Sequence, residues 1–252
     1  MCKFFSFVGD GYGNYLYSDW NTRKENMREN HDSHTAILTR NEVPPCLQDR
    51  WSKYEYNPLT KEFTIDEPVE WHDHEAAKNW VQHLNFKSVM EPLVIKKIRN
   101  PLTGKVKKVT EKEIALLDQW IQIGDSVWSS VRDSVWYSVG TSVWDSVWDS
   151  IRDSVGDSVG ALVRDSVWYS VSNSVWYSVS DSISDSIGDS VWDSVWNLTW
   201  AYMSSFFKIQ YEHDFSSAVK LWNAGFVPSF DEKTWRLHSG KNAEVVYERS
   251  VE

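Results

Sequence analysis

The sequence predicts a mainly β protein, in which a tetrapeptide-repeat β-solenoid over residues 125–200 stands between two small flanking regions. Two observations favour this fold class. The repeat keeps its four-residue register through 18 units without an insertion, and its second and third positions read Ser-Val or Ser-Ile in 17 of them. The flanking regions are predicted to be a small N-terminal α+β domain (1–124) and a short C-terminal α/β cap (201–252).

Hairpin patterns occur in both flanking regions. Two apolar runs surround the Gly-rich turn of FFSFVGDGYGNYLY, and KYEYNPLTKEFTID repeats the pattern with Asn57-Pro58 opening its turn. The run LVIKKIRNPLTGKVKKV predicts a third hairpin that turns at residues 100–104. In the C-terminal region, TWRLHSGKNAEVVYERS predicts a fourth strand pair.

Helices are predicted between these hairpins. Helical patterns lie near residues 21–29 and 74–85, and a clearer helix follows Thr110. Thr110 and Glu113 have the spacing of a capping box, in which each residue satisfies a free backbone amide of the other. The stretch SSAVKLWNAG predicts a short C-terminal helix that Gly225 closes.

The composition of the tetrads suggests which side chains face inward. Their fourth position holds Trp, Arg, Gly or Ser, and a close-packed interior does not exchange residues of such different volume. We therefore expect the fourth position and the Asp-rich first position to face outward, with Ser and Val inside. In an α-helix a four-residue stripe drifts by about 40° per unit and would circle the helix twice over the repeat.

A chain that bends once per tetrad keeps Ser and Val inward together, and this favours the solenoid. A helical repeat array is the alternative fold. Low-complexity disorder is a third interpretation, because Ser and Asp are abundant in the repeat.

The charge of the chain limits its partners. The formal net charge is −10, and residues 125–200 contribute −8 of it. An acidic surface disfavours direct binding to nucleic-acid phosphates or anionic membranes. No apolar run approaches the length of a membrane helix and no signal peptide is seen, so we expect neither a membrane-spanning nor a secreted protein.

Tryptophans at the fourth position of the tetrads are the candidate binding residues. Exposed, contiguous aromatic side chains mark interaction surfaces, here for a protein or a glycan, and self-association is open as well. The competing interpretation is drift at a permissive surface, since Trp, Arg and Gly codons can differ by one base. The predicted binding residues are Trp128, Trp136, Trp144, Trp148, Trp168, Trp176, Trp192 and Trp196.

Three weaker patterns could carry chemistry. Cys2 follows the initiator Met, the run 31–34 reads His-Asp-Ser-His, and His72 and His74 with Glu75 could bind a metal. A structural role is favoured for each of them: a buried Cys, an N-cap in the second run, and a capped helix start in the third. The chain is therefore predicted not to be an enzyme and to use no metal or other cofactor.

Several motifs carry a resemblance to a known family. The opening MCKFFSFV, the DSHT stretch, the NPLTG turn, the Ser-Val tetrads and the tail KLWNAGFVPSFDEKTWRLH are similar to a family of phage-associated and environmental proteins with DSVW-type repeats. Glu232 departs from that family's pattern, which has Gly there. The resemblance implies a phage or bacterial setting, and therefore a location in the bacterial cytoplasm or in the virion, but no mechanism.

Together these observations predict a non-enzymatic binding or structural scaffold protein. The alternative is an acidic DNA mimic that inhibits a host DNA-binding protein. An enzyme in the N-terminal domain is a distant third.

Overall fold

A computed structural model describes residues 4–19, 21–22, 33–89, 93–127, 167–187, 192–211 and 213–251. The chain divides into two compact units. The first unit comprises Met1–Lys96 and Gly140–Val167, and the second comprises Lys97–Val139 and Trp168–Glu252.

The first unit is built on a four-stranded antiparallel sheet of order β2-β1-β3-β4. Its two hairpins are the first two that the sequence predicts, and both are confirmed. Phe7 lies opposite Tyr54 in the central strand pair, so apolar aromatic side chains meet across the sheet. The strands are β1 (Phe5–Gly9), β2 (Tyr15–Tyr17), β3 (Ser52–Asn57) and β4 (Glu62–Glu67).

Two helices cover the sheet of the first unit, α1 (His34–Arg40) and α2 (His74–Gln82). Val8 of β1 joins the buried Ile37 and Leu38 of α1 in one cluster. The neighbouring Phe7 instead packs against Trp80 of α2, at a ring-centroid distance of 5.0 Å. Because successive strand residues point to opposite faces, the sheet is the middle layer between the two helices.

The second unit combines helices with a three-stranded antiparallel sheet of order β5-β6-β7. Helix α3 packs on α6, and α5 packs on both α6 and β5. The predicted strand pair and the C-terminal helix are confirmed. The elements are α3 (Glu111–Val127), α4 (Tyr177–Ile187), α5 (Trp192–Ser204), α6 (Ser216–Ala224), β5 (Val227–Phe230), β6 (Thr234–Ser239) and β7 (Glu244–Ser250).

Both predicted helix ends of the second unit have the expected chemistry. The Glu113 carboxylate accepts a hydrogen bond from the Thr110 amide at 3.0 Å and another from the Thr110 hydroxyl. Gly225 has φ 87° and its amide donates to the carbonyls of α6, so it closes the helix in the left-handed conformation that Gly tolerates.

The third predicted hairpin is wrong, because residues 97–110 form no strand. The turn itself is present, since the Asn100 side chain accepts a hydrogen bond from the Leu102 amide at 2.9 Å. The segment before the turn bonds to helices instead of to a second strand. The Arg99 amide donates to the Tyr202 hydroxyl at 3.0 Å, and the Trp222 indole donates to the Arg99 carbonyl at 2.6 Å.

The predicted solenoid is also wrong, and the fold is mixed α and β rather than mainly β. The described part of the repeat is helical: residues 167–171, a π-helical turn at Ser172–Trp176, and then α4, with α5 beyond. A π-helical turn holds more residues than an α-helical turn, so it rotates a four-residue stripe back against its drift. Val171, Val175 and Val179 consequently all remain buried.

Serine is accommodated in these helices by bonding back to the preceding turn. The hydroxyls of Ser172 and Ser180 each donate to the carbonyl three residues earlier at 3.3 Å, and Ser182 donates to Ser178 at 2.7 Å. Ser172 and Ser180 hold the fourth position of their tetrads. At the second position Ser174 and Ser178 are exposed, so the expectation that this serine faces inward is wrong for them.

None of the helices formed by the described residues has the length and apolar character that crossing a bilayer requires.

Candidate functional site

The first position of the tetrads forms an exposed row on the repeat helix. Tyr169, Asn173, Tyr177 and Asp181 all face solvent, and the two tyrosines are 57% and 56% exposed. Four residues advance a helix by about 6 Å, so these side chains follow one another at roughly that spacing. The prediction that the first position faces outward is confirmed over these tetrads. We call these four residues the outward row.

The tryptophans of the same region pack against one another. Trp168 stacks on Trp200 with ring centroids 4.4 Å apart, and Trp196 contacts Trp168 at 4.8 Å and Trp176 at 4.9 Å. Trp176 is only 2% exposed, whereas Trp168 and Trp196 are half-buried. The expected exposure is therefore wrong for Trp176, and a role of these residues in binding stays a prediction.

The other predicted binding residues lie partly or wholly outside the described part of the chain. Trp192 lies on α5, but its side chain is outside the described part of the chain. The remaining four, Trp128, Trp136, Trp144 and Trp148, lie outside the described residues altogether.

Small and large residues alternate at the fourth position, and this alternation explains how it can face inward. Trp176 stands between Ser172 and Ser180 in that column, and all three are buried. Close packing constrains each site separately, so a large ring can fill one site while a small hydroxyl fills the next. The variable residue type at the fourth position of the tetrads therefore did not require that position to be exposed.

The outward row offers phenol, amide and carboxylate groups to solvent. Asp181 has no ion-pair partner among the described residues. Beside the row, the Asn100 amide donates to the Ser178 hydroxyl at 3.1 Å. The sequence analysis expected the first position, which holds these tyrosines, to face outward. It nevertheless selected the more numerous tryptophans as the binding residues.

A Ser–His pair in the second unit is fully enclosed. Nε2 of His238 lies 2.7 Å from the Ser229 hydroxyl, and Nδ1 lies 2.8 Å from the Ala243 carbonyl. Burial lowers the pKa of His238 to about 4, so the ring is neutral at pH 7. Both side chains are completely buried, which makes the pair a link between β5 and β6 rather than a nucleophile that a substrate could reach.

Three histidines of the first unit are hydrogen-bonded to Ser52 or Tyr54 of β3 and not to one another. Nδ1 of His72 lies 2.8 Å from the Ser52 hydroxyl, Nδ1 of His74 lies 3.0 Å from the Tyr54 hydroxyl, and His34 bonds to the Tyr54 carbonyl. Among the described residues no three His, Cys, Asp or Glu side chains come together as metal ligands would.

The remaining candidates for chemistry are placed as follows. Ser33 accepts a hydrogen bond from the Ala36 amide at 3.1 Å, so it is the predicted N-cap of α1. Asp73 caps α2 in the same way. Cys2, His31 and Asp32 lie outside the described residues.

A cavity of about 570 Å³ lies beside the N-terminus of α6, lined in part by Phe207, Tyr211 and Lys220. The Asp214 carboxylate already accepts hydrogen bonds from the Ser216 amide at 2.9 Å and the Ser216 hydroxyl at 3.0 Å. A protein carboxylate thus takes the position where an anion would meet this helix end.

Comparison of the chain with models of known families, with curated proteins and with solved structures finds no match.

Proposed function

We propose that this chain is a non-enzymatic binding protein whose tetrapeptide repeat binds a positively charged surface of another protein through the outward row. The observation that carries the proposal is the division of the tetrad on the described repeat helix: Tyr169, Tyr177 and Asp181 are exposed, while Trp176 is buried. The tryptophans serve in this proposal to pack the helices on which the row stands.

The chemistry of the first position supports a cationic partner. Asp occupies that position in 11 of the 18 tetrads, and the repeat contributes −8 of the net charge of −10. Carboxylates attract Lys and Arg over several ångströms, and they steer association of oppositely charged surfaces. Tyrosine supplies a rigid ring with a polar tip, which stacks on guanidinium groups and is enriched at protein interfaces.

A narrower form of this proposal makes the partner a nucleic-acid-binding protein. Such a protein has a basic surface, and the Asp-rich tetrads would compete with phosphates for it. Displacement of duplex DNA from a basic DNA-binding protein by the full chain, reversed by salt, would support this form. Binding without displacement of DNA would leave only the general form.

The experiment uses a defined cationic probe and a matched pair of double variants. The probe is an arginine-rich helical peptide, and its neutral control carries citrulline in place of arginine. Binding to the full chain is measured by calorimetry. Tyr169→Arg with Tyr177→Arg places two positive charges in the outward row, whereas Leu47→Arg with Gln82→Arg places two on exposed positions of the first unit.

We expect the row variant to weaken arginine-peptide binding by about tenfold and the control variant by less than about twofold. The citrulline peptide should not bind measurably. Equal loss in the two variants would show that only net charge attracts the peptide, and it would overturn the assignment to the row. An unchanged affinity in the row variant would overturn it as well.

A further inference from the structure

An exposed aromatic pair stands at one end of the sheet in the first unit. Trp71 precedes α2 and Tyr12 lies in the turn between β1 and β2, and their ring centroids are 5.3 Å apart. The two side chains are 57% and 81% exposed, respectively. Two contacting rings at this level of exposure present aromatic surface that the described residues of the first unit leave open to solvent.

The turn that carries Tyr12 is held against Trp71 by geometry that only glycine allows. Gly11 has φ 79°, and a Cβ atom at this position would lie 2.6 Å from the Trp71 ring and 2.3 Å from the His72 ring. The turn is further closed by Asp10, which accepts hydrogen bonds from the Tyr12 amide at 2.8 Å and the Asn14 side chain at 2.7 Å. The aromatic pair is therefore positioned before any ligand arrives.

A buried imidazole lies directly behind the pair. The His72 ring contacts Trp71 edge to face at 4.2 Å and is 6% exposed, and its Nε2 atom has no hydrogen-bond partner. The Ser52 hydroxyl accepts a hydrogen bond from the Val69 amide at 2.8 Å and lies 2.8 Å from Nδ1 of His72. The Nε2 atom, on the other side of the ring, lies next to the turn at Gly11.

Three carboxylates lie close in sequence to the aromatic pair. Glu70 and Asp73 flank Trp71 and His72 in sequence and are exposed, and Asp10 adjoins the turn. None of the three has a Lys or Arg partner among the described residues. Burial raises the pKa of Tyr15, and the neighbouring phenol of Tyr54 and the charges of Asp73 and Asp10 raise it further, as expected where the potential is negative.

We propose that Trp71 and Tyr12, flanked by Asp10, Glu70 and Asp73, form a binding site for an organic ammonium cation. A cation over an indole or phenol face is attracted by the negative charge of the ring, most strongly over Trp. The carboxylates, which have no Lys or Arg partner among the described residues, add Coulombic attraction. Burial lowers the pKa of His72, so the imidazole behind Trp71 adds no opposing charge. This site is in the first unit and does not depend on the outward row of the repeat.

The experiment compares choline with 3,3-dimethylbutanol, a neutral molecule of nearly the same shape, by calorimetry on the full chain. Trp71→Ala removes the exposed ring. Asp73→Asn removes a charge but keeps an N-cap acceptor for α2, and Asp49→Asn removes the same charge from an exposed position elsewhere in the unit. Circular dichroism of each variant checks that it is folded.

We expect choline to bind with an affinity in the millimolar range or tighter, and the neutral molecule to bind about tenfold more weakly. Trp71→Ala should lower choline affinity by about tenfold and Asp73→Asn by about threefold, with less than about twofold for Asp49→Asn. Equal affinity for choline and 3,3-dimethylbutanol would show that the site recognises apolar shape and not positive charge, and it would overturn the proposal. Absence of choline binding up to about 20 mM, or full binding by folded Trp71→Ala, would overturn the proposal.

Discussion

Trp168 and Trp200 lie face to face in the second unit, with ring centroids 4.4 Å apart and planes only 1° from parallel. Trp196 meets the edge of the Trp168 ring, and Trp176 meets Trp196 in turn. Two of the tetrad tryptophans thus connect α5 to the π-helical turn through ring contacts. Aromatic side chains of this size dominate the packing energy of the helices that they join.

Replacing Trp176 should reveal that the tetrad tryptophans stabilise the fold. Trp176→Ala removes a nearly fully buried indole and should cost about 3–5 kcal/mol of unfolding free energy. Tyr169→Ala, on the exposed face of the same helix, should cost less than about 0.5 kcal/mol. Urea titrations followed by circular dichroism measure both values, and equal costs would contradict the inward placement of Trp176.

Replacing Glu232 by glycine should stabilise the second unit. Glu232 has φ 70°, a left-handed conformation that costs a residue with a Cβ atom about 1 kcal/mol. The turn holds this conformation because Asp231 accepts hydrogen bonds from the Lys233 and Thr234 amides at 3.1 and 2.7 Å. Glu232→Gly should therefore raise the unfolding free energy by about 0.5–1 kcal/mol, after the greater freedom of Gly in the unfolded chain is allowed for.

The control for this substitution is Glu232→Ala, which keeps a Cβ atom. Thermal denaturation should show its unfolding temperature near that of the parent chain and below that of Glu232→Gly. The reverse order of the two variants would contradict the conformational explanation.

Stability should fall as the pH is lowered from about 6.5 to about 4, and His238 should be a main cause. Burial lowers the pKa of His238 from 6.5 to about 4 in the folded state. The unfolded chain therefore takes up a proton first, and the stabilising effect, complete above pH 6.5, is lost as the pH approaches 4. The loss from this one group is about 3 kcal/mol at most.

His238→Gln separates this contribution from those of other groups. The pKa of His72 is also lowered, by burial, then by His74 and against the influence of Asp10, so it acts in the same direction. Urea titrations at pH 7.5, 6 and 5 should give a smaller pH dependence for His238→Gln than for the parent chain. If the unfolding free energy of the two proteins changed with pH in parallel, His238 would have the same pKa in the folded and the unfolded chain, and the prediction would be wrong.

The two basic side chains at the C-terminal end of α6 should support that helix. Lys107 donates to the Ala224 carbonyl, and Arg99 donates to the Asn223 carbonyl at 2.7 Å. Cations at a helix C-terminus complement its partial negative charge. Lys107→Met should therefore lower the unfolding free energy by about 0.5 kcal/mol, which is modest because the ammonium group is exposed.

Lys105→Met is the matched control, because Lys105 is an exposed neighbour that makes no hydrogen bond or ion pair among the described residues. Guanidinium titrations of the two variants at low ionic strength should place Lys107→Met below Lys105→Met. A larger loss for Lys105→Met would show that overall charge, not the helix end, decides the effect.

Features that depend on a few neighbouring residues could be predicted from the sequence. Four capping or turn signals, at Ser33, Asp73, Thr110 and Gly225, lie where the pattern placed them. Each works through hydrogen bonds or a backbone angle within about one turn of the chain, so no distant residue can alter it. The outward first position of the tetrad was predictable for a related reason, because Asp and Asn are costly to bury unpaired.

The exposed pair of Trp71 and Tyr12 was not predictable in the same way. They are 59 positions apart in the sequence, and the packing of the Gly11 turn on His72 brings their rings together. The residues between 97 and 110 are a similar case, since the turn is local but the partners of Arg99 are on α5 and α6.

The sequence by itself determined the tetrad register, three of the four predicted strand pairs, the helix ends and the inward position of Val. Only the tertiary structure decided that the described repeat is helical and that Trp176 is buried. The physical reason is that a four-residue period is compatible with a bending strand and with a helix whose drift a π-turn offsets. Which of them forms depends on whether neighbouring elements bury the Val and Trp side chains, and that burial is a property of the whole packed unit.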